Sequence, residues 1–489
     1  MTVELTFAQK ENIGLRYVLD ALQPCSPYGR EQLRDLQIMG PGQRCEIQRQ
    51  LHNVAALQRD GQCSKTLQQL LRSFMGLKMV RATAKKCLKA DLNAIELFEL
   101  KRFLLQSAEM LPLFTQLQTA LDLEGIAFVD TLQALDVVDP DGNRAASFYI
   151  SDSVSSELAG IRQRKREVEA LLRLEQTPQL VQERARLCGR EEGEEMRIHS
   201  CMSEALRPFV PAMLANMQAI ADLDLTAEKA RIARLYGGVR PELTERELVL
   251  KDLANPRIVD LLKKQGKSFT PISITLQPGA TVITGANMGG KSVALKTIAL
   301  NILLVHCGMF PFATEARIPL FDGLHIISED LESIDRGLSS FGGEMVRFNA
   351  VTEQLRQGYH FVLLDEFARG TNPHEGAAIV RAVTRYLNRE NAVSVLATHY
   401  DHVAEVAAAH YQVAGLKDLD WEKLRGEIRG LAAGDSAQRI VSCMNYGLYP
   451  VHSQQDCPRD ALHICRLLGM PRAILEDAEK TVSAELEIY

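Results

Sequence analysis

The run Thr281-Val282-Ile283-Thr284-Gly285-Ala286-Asn287-Met288-Gly289-Gly290-Lys291-Ser292 constrains this chain more than any other feature. Apolar residues follow it at helical spacing: Ala294, Leu295, Ile298 and Ile302. The pattern predicts a buried strand, a glycine loop and a helix, which is the build of a phosphate-binding loop. Its chemistry dictates its residues. Glycines let successive backbone N–H groups turn inward around a β-phosphate, and the positive end of the helix adds to them. Lys291 is placed to reach the β- and γ-phosphates, and the Ser292 hydroxyl to take one Mg²⁺ position. Residues Gly285, Ala286, Asn287, Met288, Gly289, Gly290, Lys291 and Ser292 are therefore the expected nucleotide-binding set.

Two more apolar runs end in chemistry. Phe361-Val362-Leu363-Leu364 leads into Asp365-Glu366, and two carboxylates beside a buried strand are costly unless a cation or a substrate proton uses them. A Walker B pair uses both: Asp365 would hold Mg²⁺, directly or through water, and Glu366 would orient and partly deprotonate an attacking water. Val393-Ser394-Val395-Leu396-Ala397 ends in Thr398-His399, where a neutral imidazole could contact a γ-phosphate. Glu366, His399 and Lys291 are the expected catalytic residues, Ser292 and Asp365 the expected metal ligands, ATP and Mg²⁺ the expected cofactors.

Texture divides the chain. From Asn12 to about Tyr236 it is rich in Leu, Gln, Arg and Glu with apolar residues at helical spacing. Leu158 to Leu187 reads as one long amphipathic helix divided by Pro178. Beyond Val239, short β-branched runs alternate with helical segments, and Ile272–Leu276, Thr281–Thr284, Phe361–Leu364 and Val393–Ala397 are expected as strands covered on both faces. No repeat of fixed period and no low-complexity segment occurs.

The 489 residues leave room for about three domains. With 46% hydrophobic and 24% charged residues, disordered, collagenous and disulfide-framework classes are excluded. Lys and Arg number 56 against 62 Asp and Glu, so the net charge of -6 gives no global pull toward nucleic acid or anionic lipid, and any such binding needs a local patch. The ten cysteines show no two-residue spacing and read as reduced. Glu4, Lys10 and Glu11 interrupt any signal-like stretch, and Ile298 to Ala313 is too short and polar to span a bilayer, so a cytoplasmic protein without membrane partners is expected.

Four segments together resemble the ATPase domain of the MutS family of DNA mismatch repair proteins. They are the glycine loop, Ser339-Ser340-Phe341-Gly342-Gly343-Glu344-Met345, Asp365-Glu366-Phe367-Ala368-Arg369-Gly370-Thr371-Asn372 and Ala397-Thr398-His399-Tyr400. The resemblance covers roughly Asn255 to Glu405 closely and the helical front more loosely, through Pro24 to Gly29 and Ile220 to Asp224. It implies a multidomain protein, an α-helical core/lever region followed by an α/β ABC-type P-loop ATPase domain. The implied division is a helical core at 1–150, lever or clamp helices at 151–236, and the ATPase with a C-terminal helical dimerisation segment at 237–489. The implied homodimer has composite sites, in which Ser339 reaches the γ-phosphate bound by the opposite subunit. Asn287 matches the phosphate-loop asparagine, and Phe269 sits where the family places an aromatic against adenine, although a core Phe reads the same way. Ala286 and Val293 depart from the usual proline and threonine without removing a phosphate-contacting group.

With eleven residues before the core-like segment and no Phe-x-Glu wedge among the sixteen phenylalanines, a mismatch-reading domain is not expected, nor an appended nuclease domain of the Smr type. Two partner readings follow. One is DNA, clamped without mismatch reading by Arg162, Arg164, Lys165, Arg166 and Arg173, although interleaved glutamates suit a solvated helix face equally. The other is an adenosylcobalamin (B12)-dependent aminomutase, which similar short MutS-related proteins reactivate by cofactor exchange. Asn445 to Leu462 would then be a partner element. A purely structural dimer with a degenerate pocket is disfavoured, since every expected catalytic group is present.

Overall fold

The computed structural model describes the chain except for residues 1–4, 60–63, 148, 267, 286–289, 329–339, 416–423, 425, 427–444, 452–464, 467–469 and 487–489. Two compact units emerge: residues 23–36 with 55–228, and residues 1–22, 37–54 and 229–489. The change of texture near Tyr236 does not anticipate that residues 1–22 and 37–54 group with the strand-bearing back.

The first unit is helical. Its Ala94–Ala120 helix opens on a capping box in which the Glu96 N–H donates to Asn93 Oδ1 at 3.0 Å and the Asn93 N–H to Glu96 Oε2 at 3.0 Å. Tyr28, Phe74 and Phe114 are fully buried, with Phe103 close to it. Two segments nearly two hundred residues apart meet here. Buried Asp224 accepts from the Cys25 N–H at 3.0 Å, the Ser26 N–H at 2.7 Å and the Ser26 hydroxyl at 2.6 Å. Burial raises the Asp224 pKa, and these donors offset it.

The stretch 158–187, expected to be divided by Pro178, is indeed broken there into two helices, Ser156–Leu174 and Pro178–Leu206, which fold into an antiparallel hairpin. Pro178 is the reason. It sits at the first helical position, where its missing N–H costs nothing, so it starts a helix rather than kinking one. Ser155 caps the other, its hydroxyl accepting from the Leu158 N–H.

The second unit carries ten strands among the described residues: β1 (Glu242–Thr244), β2 (Leu248–Leu253), β3 (Ile272–Leu276), β4 (Gly279–Thr284), β5 (Glu315–Pro319), β6 (Gly323–Ile327), β7 (His360–Asp365), β8 (Ala392–Ala397), β9 (Ala409–Gly415) and β10 (Asn445–Pro450). One sheet runs β1-β5-β2-β3 and the other β10-β9-β4-β8-β7-β6. In the latter, β9, β4, β8, β7 and β6 are parallel and β10 antiparallel at the edge. Strands β4 and β8 are buried at every position, as continuous apolar runs in a parallel sheet should be. Strand β3 corrects an expectation: it belongs to the smaller sheet, pairs antiparallel with β2 and exposes alternate residues. Its alternation of Ile272, Ile274 and Leu276 with Ser273 and Thr275 is the signal of one wet face. The Gly290–His306 helix is buried almost all round, so its pattern is apolar on every face. No helix among the described residues is long and apolar enough to cross a membrane.

Candidate functional site

The C-terminal ends of β4, β8 and β7 lie side by side, and each carries one of the motifs read from the sequence. After β4, Gly285 adopts φ 145°, and a Cβ there would lie 3.0 Å from Val413 Cβ, so only glycine suits. Ala286, Asn287, Met288 and Gly289 lie outside the described residues, as does Ser339. The chain resumes at Gly290, the first residue of the following helix. Lys291 is buried and its Nζ donates to Gly285 O at 2.7 Å, so the ammonium folds back over the loop. Ser292 Oγ donates to Asp365 Oδ1 at 3.0 Å, joining residues 73 positions apart.

Asp365 ends β7. Burial raises its pKa, the Glu366 charge raises it further, and the Ser292 hydroxyl, Lys296 and Lys291 oppose this. Immediately after it the backbone is strained: Glu366 has φ 49° and Ala368 φ 63°, the left-handed region that non-glycine residues rarely occupy. Three bonds hold that turn. The Glu366 N–H donates to Ala397 O at 3.0 Å, the Ala368 N–H to Glu344 Oε2 at 2.8 Å, and the Tyr400 hydroxyl to Ala368 O at 2.8 Å. Glu344 is buried and belongs to the Ser340–Gln354 helix, so the segment after Ser339 braces the acid pair from behind. The Glu366 carboxylate pairs with Arg369 at 2.6 Å.

His399 follows β8. Its Nδ1 is buried without a hydrogen-bond partner among the described residues. Burial lowers its pKa, and the charges of Glu366 and Lys291 both act on it, Glu366 raising and Lys291 lowering it. The site thus gathers Lys291, Ser292, Asp365, Glu366 and His399. Phe269 lies half-buried in the loop before β3, and its neighbour Thr270 faces Gly447 of β10.

Three groups here escaped sequence reasoning. The Tyr446 ring lies 3.0 Å from where a Gly290 Cβ would be, against the helix start. Lys296, one helical turn beyond Ser292, is half-buried, and burial lowers its pKa while Asp365 opposes this. The Phe7–Ile13 helix closes a small cavity of about 20 Å³ behind Asp365, between Gln9, Ile13, Lys296 and Leu363. Gln9 Nε2 there donates to Ile326 O at 3.0 Å. No sequence signal links residue 9 to residue 326; locally, Gln9 closes a capping box with Thr6.

Most of the hairpin cations are engaged within the hairpin. Arg162 is buried, reaching Asp152 at 2.9 Å, Glu191 at 3.0 Å and Glu195 at 2.8 Å, with its guanidinium 4.6 Å from the Tyr149 ring centroid. Lys165 pairs with Glu191, Arg164 with Glu167 at 2.9 Å and Arg166 with Asp152 at 3.5 Å. Arg173 is exposed near the tip. The element read as a partner segment is described only in part: Asn445–Pro450 is β10, and residues 452–464 lie outside the described residues.

Comparison with known proteins agrees with this geometry. Residues 281–487 match the family model described as MutS domain V. The chain is 31% identical over 251 residues to "Endonuclease MutS2" of Symbiobacterium thermophilum, covering 50% of this chain and 30% of the relative. It is 33% identical over 237 residues to "Endonuclease MutS2" of Exiguobacterium sibiricum, covering 48% and 29%. It is 26% identical over 319 residues to "DNA mismatch repair protein MutS" of Geobacillus kaustophilus, covering 64% and 33%. The chain therefore spans about a third of the length of the curated relatives it matches. The MutS domain V match begins on β4 and spans the glycine loop, the acid pair and His399, so residues 281–487 are similar to that domain over the whole of the site.

Proposed function

We propose that this chain is an ABC-type ATPase that hydrolyses ATP to ADP and phosphate at composite sites of a homodimer and uses the cycle to change its grip on DNA. The observation that carries the reading is the contact of Ser292 Oγ with Asp365 Oδ1 at 3.0 Å, with Lys291, Glu366 and His399 at the same end of the sheet.

The residues fit a nucleotide with Mg²⁺. A hydroxyl and a carboxylate oxygen side by side are the hard donors Mg²⁺ prefers, and no group of three or more His, Cys, Asp or Glu that could cage a metal occurs among the described residues. That suits an ion held by two protein oxygens, with water and phosphate completing its shell. When bound, Mg²⁺ would neutralise charge on the β- and γ-phosphate oxygens. Lys291 would exchange its bond to Gly285 O for the β- and γ-phosphates. Glu366 would leave Arg369 to accept a proton from the attacking water, its backbone already held by Ala397 O. His399, kept neutral by burial, has an unused Nδ1 for the γ-phosphate or that water. Phe269, with Tyr446 beside the helix start, would cover the base. Ser339 would complete the partner subunit's site.

Replacing Glu366 by Ala removes the base and leaves the cradle. ATP affinity should stay within about threefold while turnover falls at least ~100-fold, as loss of a general base does. Equilibrium binding and phosphate release measure the two, and retained turnover would exclude Glu366 as the base. For DNA, the support is the family and the names of its relatives, so the partner is tested below.

A further inference from the structure

From Ser64 to Ala90 the chain carries seven cations and no acidic residue, within a protein whose net charge is -6. This acid-free run belongs wholly to the helical unit and was not singled out by motif reading, because it resembles no motif. It spans the Ser64–Met75 helix, the turn at Gly76 to Val80, the Arg81–Cys87 helix and the turn after it.

The structure separates its cations into two kinds. Arg81 is occupied by Glu31 at 3.0 Å and lies over the Tyr28 ring, and Lys86 is occupied by Glu96 at 2.6 Å. Lys65, Arg72, Lys78, Lys85 and Lys89 are exposed, with no carboxylate of a described residue within ion-pair distance. Arg81 and Lys85 lie one helical turn apart on one face, about 6 Å along the axis. The following turn carries Lys89. The contrast with the hairpin is direct. There, nine Arg and Lys between Ser156 and Leu206 meet ten Glu, and Arg162, Arg164, Lys165, Arg166, Arg184 and Arg190 all have acidic partners. A cation already paired must break that bond before it meets a phosphate, whereas an exposed unpaired one releases only counterions from its partner.

We propose that the exposed cations Lys78, Lys85 and Lys89 of the Ser64–Ala90 segment, rather than the Ser156–Leu206 hairpin, are the contact for the phosphate backbone of duplex nucleic acid. The cations are spread over successive elements rather than gathered at one point. That spacing suits an extended polyanion, whose strand presents a phosphate every ~3.4 Å of axis, better than a single carboxylate. The contact reads no bases, since Lys donors of this kind position a duplex without specifying sequence.

This inference rests on the DNA reading above, and its test separates the two. Affinity for a fluorescent 30-base-pair duplex is measured against salt for three proteins: the parent, Lys78→Gln/Lys85→Gln/Lys89→Gln, and Arg164→Gln/Arg166→Gln/Arg173→Gln. Thermal melts and ATP turnover of both variants should match the parent, because these side chains are exposed and outside the nucleotide site. The lysine variant should bind at least ~10-fold more weakly at 0.1 M salt, with the slope of log K against log salt shallower by about 3, one for each cation lost. The hairpin variant should change less than threefold. Loss in the hairpin variant alone, or equal binding by the lysine variant, overturns this inference while leaving DNA as the partner. No duplex binding by the parent at low salt, or displacement of the duplex by poly-glutamate at equal charge concentration, overturns both.

Discussion

His306 illustrates how far single side chains here depend on their protonation state. It is fully buried at the end of its helix, with Nδ1–H donating to Met39 O at 2.7 Å and Nε2 accepting from the Phe321 N–H at 3.4 Å. The Nε2 bond requires the neutral ring, and burial lowers its pKa to about 4 although the Met39 bond opposes this. Below the unfolded value of about 6.5 the unfolded chain takes up a proton that the folded chain refuses, so stability falls from pH 6.5 to about pH 4. The shift corresponds to at most about 3 kcal/mol. His325, lowered to about 4 by burial and by His360, adds to the same window. Urea midpoints at pH 7.5 and 5 should therefore fall, and His306→Asn, though less stable at pH 7.5, should show roughly half that fall. An unchanged slope would place the titration elsewhere. None of this was legible in the sequence, where both histidines stand among ordinary apolar residues. Lys291, Ser292, Asp365, Glu366 and His399 were legible, because costly polar residues at the ends of apolar strands are rare without a use.

At the scale of elements, the hairpin is held by its charges as much as by its small apolar cluster of Ile161, Val168 and Leu187. Arg162→Ala would take one partner from each of three carboxylates, leaving Glu191 with Lys165, Asp152 with Arg166 and Glu195 with no ion pair among the described residues, and should cost about 2 kcal/mol, less than a fully buried pair because Asp152 and Glu195 are partly wet. Arg164→Ala, whose partner is exposed, should cost under about 0.5 kcal/mol. Calorimetric melts of the two variants compare them directly, and equal effects would deny Arg162 its place as the hub. The sequence announced the helices and the strands through their apolar periods. It misassigned β3 to a fully covered sheet, and it placed the break at Pro178 without the reversal that makes a hairpin, since the direction a chain takes after Leu174 depends on what it packs against and not on its period.

For the whole molecule, the proposed composite site makes a claim that no single chain can satisfy. Ser339→Ala should reduce hydrolysis with its own glycine loop intact, and so should Lys291→Ala. Mixing the two under conditions where heterodimers form should restore part of the turnover, because one of the two shared sites then carries both intact residues. Absence of rescue with heterodimers demonstrated by mass would count against shared sites. The grouping of residues 1–22 and 37–54 with the strand-bearing unit belongs to this scale too. It puts the Phe7–Ile13 helix behind Asp365, next to the chemistry and more than 350 residues away from it in sequence.

By itself the sequence determined the local chemistry: the glycine loop, the acid pair after an apolar strand, the histidine after another, and the helical character of the first half. Each of these is set by neighbours a few residues apart, so composition and spacing carry it. Only the tertiary structure decided which distant groups meet without a motif to join them, as Gln9 meets Ile326 and Asp224 meets Ser26, and which cations are left without a partner among the described residues. The reason is physical. Ion pairing and burial depend on separations of a few ångströms between elements, and the fold sets those separations through packing that no run of neighbouring residues records.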